Sequence, residues 1–547
     1  MKNRNILILI ILGIITFFVN NNAIFPDIME SRNIITAREM VYEGNWMVPT
    51  MNGELRLEKP PLPTWIAAFA EHINPDNIML QRAMAGLAAL LLLIFFYKLA
   101  YEFTRNNKFA FISSLVLITS YSIILMGRTA SWDIYCHAFM LGGIYYLFKS
   151  LKKDGSQMGG FALSGLFMGL SFLSKGPVSF FALLFPFLIS LPFLKDLKFK
   201  NKAKSLILLI IIMVMISTWW YIILLIYHHD KVIYILNKES GAWVNHNVRP
   251  WYYYNAFFFE TGIWALILLT AIFLPVFRGN YKISKENKVV LLWLILQLIL
   301  LSCIPEKKNR YLLPILIPCS YITGFLLIYW DKISGQISQK IKKFRWDKIL
   351  YKFNSYFITF LITILPFGFY FSLYSKGYMS LCILCISTLV FWTISIYMFI
   401  NIRKNKVLTL VYGVVALFAF IEIAIMPYVG DLANNPDINS ISQTKEIKKL
   451  KDLKFYNLKN EELRIEIVYA VNKRIRPIDI KDSITLKKTV PFVLLSHNPI
   501  NEVLSKNQLK KYKIEYIGSY DDNHRPKHDK HHSTKFDYNV NIIMKRK

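Results

Sequence analysis

The sequence predicts a polytopic α-helical membrane protein of about 13 transmembrane helices, with a large first outer loop and a small C-terminal α/β domain outside. Three observations carry that expectation. Of 547 residues, 54% are hydrophobic and 15% aromatic, and the mean hydropathy is positive, which a soluble chain of this length seldom shows. Mostly apolar runs recur at lengths of roughly 17–25 residues, enough to cross a hydrocarbon core. Lys and Arg concentrate in short connections between alternate runs, the positive-inside pattern. In a soluble chain the net charge of +30 would suggest nucleic acid; placed in such loops it sets topology, and no nucleic-acid partner is expected.

The N-terminus, MKNRN followed by ILILIILGIITFFV, has the basic start and apolar core of a signal peptide. No small-x-small cleavage site follows, so an uncleaved first span with its N-terminus inside is expected. Further spans are expected near 79–101, 108–127, 133–150, 159–174, 178–194, 204–228, 253–277, 288–304, 310–330, 353–375, 379–401 and 406–428. Alternate threading puts 149–153, 195–204, 278–288, 331–352 and 402–406 inside, KDLKFKNKAK and KIKKFRWDK among them. The outer side then receives the loop 22–78, GRTASWD at 127–133, SKGP at 174–177, the loop 229–252, PEKKNR at 305–310 and the tail. This divides the chain into a transmembrane domain over 1–430, its site built by loops 22–78 and 229–252, and an extracytoplasmic α/β domain over 431–547. Helix-like and strand-like patches alternate in that tail, from SQTKEIKKLKDL and RIEIVYAV to VPFVLLSH and VNIIMKR.

Two groups of metal-type ligands read as ordinary structure. Cys136, Cys303, Cys319, Cys382 and Cys385 lie in or beside apolar runs, and the Cys382-x-x-Cys385 pair lacks a second ligand pair. His524, His528, His531 and His532 offer imidazoles in NHRPKHDKHH, but a lysine-rich hairpin without preformed geometry is expected to be a solvated loop.

The chemistry is expected on the outer face. Residues 26–65, PDIMESRNIITAREMVYEGNWMVPTMNGELRLEKPPLPTW, are too charged to face lipid and too rich in aromatics and Pro for a disordered linker. Topology gathers the carboxylates Asp27, Glu30, Glu58 and Asp133 with the cations Arg32, Lys59, Arg128, Lys175, Lys307, Lys308 and Arg310, all near helix ends. Three cations in PEKKNR oppose the sign expected of an outer loop, which points to a bound anion; a solvated basic turn is the plain alternative. Such cations suit a phosphate or diphosphate headgroup, and a nearby carboxylate can deprotonate an attacking hydroxyl. Taken singly, each cation at a helix end can equally snorkel to the interface, and Arg128 with Asp133 can be a simple ion pair. Together they indicate an enzyme acting on a lipid-linked phosphorylated substrate. A transporter or flippase of lipid-linked sugars is the rival, but transporters usually carry charges near the midplane and repeated halves, and no internal repeat is found here.

The segments ESRNIITAREM, GNWMVPTMNG and EKPPLPTW resemble the first outer loop of the aminoarabinose lipid A transferase and protein O-mannosyltransferase relatives. These are integral membrane glycosyltransferases of the C-type superfamily that use polyprenyl-phosphate sugars. The resemblance continues through GRTASWD, LSKGP, NHNVRPWYYY at 245–254 and KKNRYLLP at 307–314, over roughly residues 1–330. It implies that Lys59, Arg128, Lys175, Lys307 or Lys308, Arg310 and Tyr311 bind the lipid phosphate, and that Asp133 is a second acidic position near donor or acceptor. It also implies that Glu58 and His246 ligate a divalent metal cation, a pairing of carboxylate and imidazole that suits hard or borderline ions. The family's Asp-Glu-x-Arg falls on Met29-Glu30-Ser31-Arg32, so Met29 replaces the usual Asp. Glu30 is then the first choice of base and Asp27 the second. The function so implied is transfer of a sugar from a polyprenyl-phosphate donor to lipid A or another glycolipid acceptor, at the outer face of the plasma membrane. The reaction is a single displacement with inversion; a protein acceptor is the alternative.

Overall fold

The computed structural model describes residues 2–194, 196–277, 283–335, 345–433, 438–523, 525–527, 529–530, 532 and 533–546. The inside loops expected at 278–288 and 331–352 fall partly outside these residues, as do His524, His528 and His531. The chain forms two compact units. One comprises Met1–Asn22, Leu57–Ile66 and Asp76–Met426; the other comprises Ala23–Arg56, Ala67–Pro75 and Pro427–Lys547. Most of the first outer segment thus folds with the tail.

The first unit is helical. Its leading elements are α1 (Lys2–Phe18), α4 (Ile78–Thr104), α5 (Asn107–Ile118), α6 (Tyr121–Gly127), α7 (Trp132–Leu151), α8 (Met158–Lys175), the short α9 (Phe185–Ser190) and α10 (Ala203–Asn245); α2 (Ile28–Glu43) belongs to the second unit, and α3 (Leu62–Ile73) is divided between the two. Each of the thirteen expected intervals is occupied by helix. By length and composition, eight helices among the described residues can cross a membrane, or nine if a bent pair counts as one. Helices α7 and α8 fill expected intervals but are not among the eight, while α1 and Phe180–Phe193 are shorter apolar helices.

Two departures from the expected pattern have local causes. The interval 108–127 breaks between α5 and α6, which meet at 69°. There Thr119 and Ser120 turn their hydroxyls back onto the carbonyls of Leu115 (2.6 Å) and Val116 (2.8 Å), and the Trp264 indole donates to Thr119 Oγ1 at 2.8 Å. Side chains thereby satisfy backbone that the break would orphan in an apolar setting. The expected loop 229–252 is instead mostly helix, because α10 continues past a non-helical residue, His228 (φ −140°, ψ 39°), to Asn245. Close packing of α8 on α10 depends on a small residue: a Cβ on Gly165 would sit 2.5 Å from the Leu209 carbonyl oxygen.

In the second unit, α2 is set by a capping box, followed by the hairpin β1 (Thr50–Met51) and β2 (Glu54–Leu55). The tail carries a five-stranded sheet of β3 (Lys454–Leu458), β4 (Ile475–Ile478), β5 (Phe492–Ser496), β6 (Tyr512–Asp521) and β7 (Asp537–Lys545), ordered β4-β3-β5-β7-β6. Strand β3 runs parallel to β4 and β5, and β7 antiparallel to β5 and β6. All of β5 is buried, and alternation sends Val493 and Leu495 to one apolar cluster and Phe492 and Leu494 to the other. Ile35 of α2 joins the first cluster, and Arg38 Nη1 donates to the Tyr469 carbonyl at 3.1 Å.

Candidate active site

Three breaks in helical structure within the first unit converge on one charged cluster. The first is the start of α7, where Asp133 lies in the first turn, 1% exposed, and the helix N-terminus favours its negative charge. The second is the end of α8, whose last residue is Lys175. Gly176 follows at φ +67°, ψ −148°, a conformation open essentially to Gly alone, so the S-K-G-P motif stops the helix with the ammonium at its tip. Lys175 forms a buried ion pair with Asp133.

The third break follows the helix Lys285–Cys303, where PEKKNR pairs with NHNVRP across an antiparallel bridge. Arg249 N–H donates to the Pro305 carbonyl at 3.1 Å and Lys307 N–H to that of Asn247 at 3.2 Å. This pairing sets His246 beside Glu306, with Nδ1 3.2 Å from Oε1. Glu306 is 6% exposed and receives Lys308 Nζ at 2.5 Å and the Tyr311 hydroxyl at 3.0 Å. Burial pushes its carboxyl up, but the hydrogen bonds from Lys308, His246 and Tyr311 more than offset this and hold it below the ordinary Glu value. Lys307 Nζ donates to the carbonyls of Ile304 (2.5 Å) and Arg249 (3.2 Å), and burial pushes its ammonium down.

A 3₁₀ turn, Asn309–Ile315, then presents Arg310 and Tyr311. The Tyr311 ring lies between the two ion pairs, its centre 5.6 Å from Lys175 Nζ and 5.8 Å from Lys308 Nζ. Arg310 acts electrostatically on both Asp133 and Tyr311, yet makes no hydrogen bond or ion pair among the described residues, and its buried Nε has no partner. Four cations, Lys175, Lys307, Lys308 and Arg310, thus accompany two carboxylates, an excess of two positive charges.

Glu58 and Lys59 belong to a second charged group in the same unit. They lie in a bend of the chain just before Pro60 and Pro61, which precede α3, and Trp65 of α3 stacks on Trp219 of α10 at 5.7 Å. Beyond its bend, α10 supplies the partners: Lys59 Nζ meets Glu239 Oε2 at 3.0 Å, and Glu58 Oε1 lies 3.6 Å from Lys238 Nζ. The two implied metal ligands therefore have different immediate partners, Lys238 for Glu58 and Glu306 for His246. Lys308, a cation, already sits on the Glu306 oxygen that faces His246. As arranged, this donor set does not fit a metal centre, and no chemistry is routed through one.

Arg128 is not part of either group. Its guanidinium donates to the carbonyls of Thr16 (2.6 Å) in the last turn of α1 and of Val19 (2.8 Å) and Asn20 (2.6 Å) just beyond it, and pairs with Glu422 at 2.6 Å. The simple ion pair expected with Asp133 is thereby corrected: Asp133 pairs with Lys175 and Arg128 with Glu422. In the second unit, Asp27 N-caps α2, its Oδ1 accepting N–H from Met29 and Glu30 at 2.8 Å each, while Glu30 Oε2 takes the Asp27 N–H at 3.4 Å. Glu30 is 2% exposed and Asp27 exposed. Arg32 approaches the Met29 sulfur at 4.0 Å, and its buried Nε has no hydrogen-bond partner.

Sequence reasoning missed Glu306, Glu239, Lys238 and Glu422. An acid inside the apolar run 406–428 was itself a signal, because an ionisable group there needs a partner. Glu306 was hidden by its neighbours, since PEKKNR reads as basic until the acid is seen to be buried.

Residues 58–222 match the family model described as dolichyl-phosphate-mannose-protein mannosyltransferase. The chain is 26% identical over 314 residues, 54% of each chain, to the undecaprenyl phosphate-alpha-4-amino-4-deoxy-L-arabinose arabinosyl transferase of Aeromonas hydrophila. It is 23% identical over 386 residues to a transferase of that name from Proteus mirabilis, covering 68% of this chain and 66% of that one. It spans about half the length of most of the curated relatives it matches. The crystal structure of ArnT from Cupriavidus metallidurans bound to undecaprenyl phosphate superposes with a TM-score of 0.67 at 14% identity, covering 98% of this chain and 97% of that one, which shows a shared fold. By family model and relatives this chain is similar to the aminoarabinose arabinosyl transferases and to protein mannosyltransferases, and it shares the fold of the ArnT structure.

Proposed function

We propose that this protein transfers a sugar from a polyprenyl-phosphate carrier to a lipid A or other glycolipid acceptor, on the outer face of the plasma membrane. The observation that carries this reading is the cluster around Tyr311, with its excess of two positive charges and an Arg310 guanidinium that makes no hydrogen bond or ion pair among the described residues. Such a group suits the phosphate of a carrier lipid, whose charge rises when the bond to the sugar breaks. The relatives' names supply the donor class, and the positive-inside pattern supplies the side.

In this mechanism an acceptor hydroxyl attacks the anomeric carbon, the bond from that carbon to the phosphate oxygen breaks with inversion, and polyprenyl phosphate leaves. The hydroxyl proton passes to a carboxylate, for which the resemblance of Met29-Glu30-Ser31-Arg32 to the family's motif nominates Glu30. Arg310 and Lys175 meet the developing phosphate charge, with Lys308 and Lys307 behind them. Each such preorganised contact is worth about 2–4 kcal/mol at the transition state by analogy with oxyanion sites. Asp133 and Glu306 keep the lysines in place rather than accept the proton, since each is already engaged by cations.

The test is incubation of purified protein with a panel of radiolabelled polyprenyl-phosphate sugars and total membrane lipid or protein. Label in lipid, with release of polyprenyl phosphate, supports the reading. The family model's description favours one second reading, a protein acceptor, and label in protein alone would select it. No transfer from any donor by folded, lipid-binding protein would reject both.

A further inference from the structure

We propose that Asp521, His532 and Asp537 form a binding site for a divalent transition-metal cation, Zn²⁺ or Mn²⁺, that clasps the loop between β6 and β7. The first observation is one of register. Asp521 and Asp537 are the last directly opposed pair of the β6–β7 ladder. Like charges facing each other across an antiparallel pair are destabilising, so a sheet edge that places them there needs a compensating charge. The neutral side chain of Asn523 gives only a shared donor, its Nδ2 reaching Asp521 Oδ1 at 2.6 Å and Asp537 Oδ1 at 3.0 Å.

The second observation is the return of the loop. His532 comes back over the pair with Nε2 3.2 Å from Asp521 Oδ2 and 4.0 Å from Asp537 Oδ1, and one ligand atom from each of the three residues lies within 4.8 Å of the others. Tetrahedral Zn²⁺ with bonds of about 2.0–2.2 Å has ligand-to-ligand edges near 3.3–3.5 Å. The observed edges bracket that range, so small side-chain rotations complete a three-ligand site with a fourth position for water. An imidazole with two carboxylates favours a borderline ion over Mg²⁺ or Ca²⁺.

The third observation is that hydrogen bonds anchor the residues flanking the three ligands. Asp521 is held by backbone hydrogen bonds with Asn439 (2.9 and 3.2 Å) on the side away from β7. Its neighbour Asp522 takes the Ser440 hydroxyl at 2.6 Å and the Ile441 N–H at 3.0 Å. Asn523 clamps the residue after His532, accepting the Ser533 N–H at 3.0 Å and donating to the Ser533 carbonyl at 3.0 Å. The ligands are therefore pre-positioned, which separates this site from a solvated histidine run.

The test uses the full-length protein in detergent, stripped with a chelator and titrated with Zn²⁺, with Mn²⁺ followed by electron paramagnetic resonance, and with Co²⁺ followed by visible absorption. The proposal expects about one equivalent bound in wild type and in the His524→Ala/His528→Ala/His531→Ala variant. Binding should weaken at least about tenfold in Asp521→Asn/Asp537→Asn and in His532→Ala. Thermal unfolding provides a control for folding. Without metal, Asp521→Asn/Asp537→Asn should melt no lower than wild type because a like-charge pair is gone, and Zn²⁺ should raise the Tm of wild type and of the triple-histidine variant but not of Asp521→Asn/Asp537→Asn. No saturable binding, or binding and a Tm shift that survive Asp521→Asn/Asp537→Asn, would overturn the proposal and leave a proton as what the carboxylate pair shares.

Discussion

Replacing Arg128 by Met should destabilise the protein by about 3–5 kcal/mol without touching the candidate phosphate cluster. Arg128 is 6% exposed and Glu422 2%, and Glu422 lies in an apolar helix that is one of the candidate spans. Removing the cation leaves a buried carboxylate uncompensated, the costliest way to break such a pair. It also strips donors from three carbonyls at the C-terminal end of α1. Arg128→Lys should recover only part of the loss, since one ammonium cannot reproduce a fork that serves three carbonyls and a carboxylate. Arg128→Met/Glu422→Leu should recover most of it, because an apolar pair of similar volume avoids desolvating two ions. The assay is equilibrium unfolding of purified protein in detergent, read by tryptophan fluorescence, beside binding of radiolabelled polyprenyl phosphate. Wild-type stability in Arg128→Met would refute the structural role. A double variant that is stable yet has lost binding would return Arg128 to the phosphate site where the family resemblance puts it.

Other outcomes follow from the same geometry. Glu30→Gln keeps the capping box, because Gln at that position also reaches the N-cap N–H, so stability should hold while transfer falls at least ~10²-fold. Asp27→Asn keeps a good N-cap and should retain both stability and transfer; the opposite ranking of the two variants would move the base to Asp27. Glu306 is held below its ordinary value of 4.5, so its contribution to stability is fully present above that pH and is lost as pH falls through the lowered value. Wild type should accordingly lose its stability advantage over Glu306→Gln on acidification, measured as Tm against pH; parallel curves would count against the hydrogen-bonded carboxylate. The family resemblance, rather than the geometry, puts Lys59 on the carrier phosphate, so Lys59→Ala should slow transfer by about 10²–10³ while Glu239→Gln, which removes only the partner at 3.0 Å, changes it a few-fold; equal rates in the two variants would leave Lys59 as an ion-pair partner alone.

Much of this was legible in the residues themselves. The apolar runs located helix in every expected interval, because length and hydropathy dominate where lipid is the solvent. S-K-G-P announced a helix end with a cation at its tip, and K-K-N-R-Y announced a basic turn. Less legible were features decided by long-range partners. Nothing local to Arg128 distinguishes a phosphate ligand from a guanidinium spent on α1 and Glu422. The capping box on Asp27 and Glu30 fits the D-x-x-E spacing before α2, yet the same residues read equally as candidate bases, since caps and catalytic acids draw on the same side chains. The continuation of α10 through 229–245 was obscured by charges that a loop reading absorbed, although Lys238 and Glu239 complement Glu58 and Lys59. His532 could not be separated from its neighbouring histidines until the register of β6 and β7 fixed two aspartates beneath it.

The most direct test of the central claim is equilibrium binding of radiolabelled polyprenyl phosphate to wild type and Arg310→Met. Arg310 makes no hydrogen bond or ion pair among the described residues, so its loss should leave stability within about 0.5 kcal/mol of wild type. If the Tyr311 cluster receives the carrier phosphate, affinity should fall about 10- to 100-fold, as when a charge-assisted contact is removed. Unchanged affinity in a stably folded Arg310→Met protein would contradict the account and place the phosphate elsewhere.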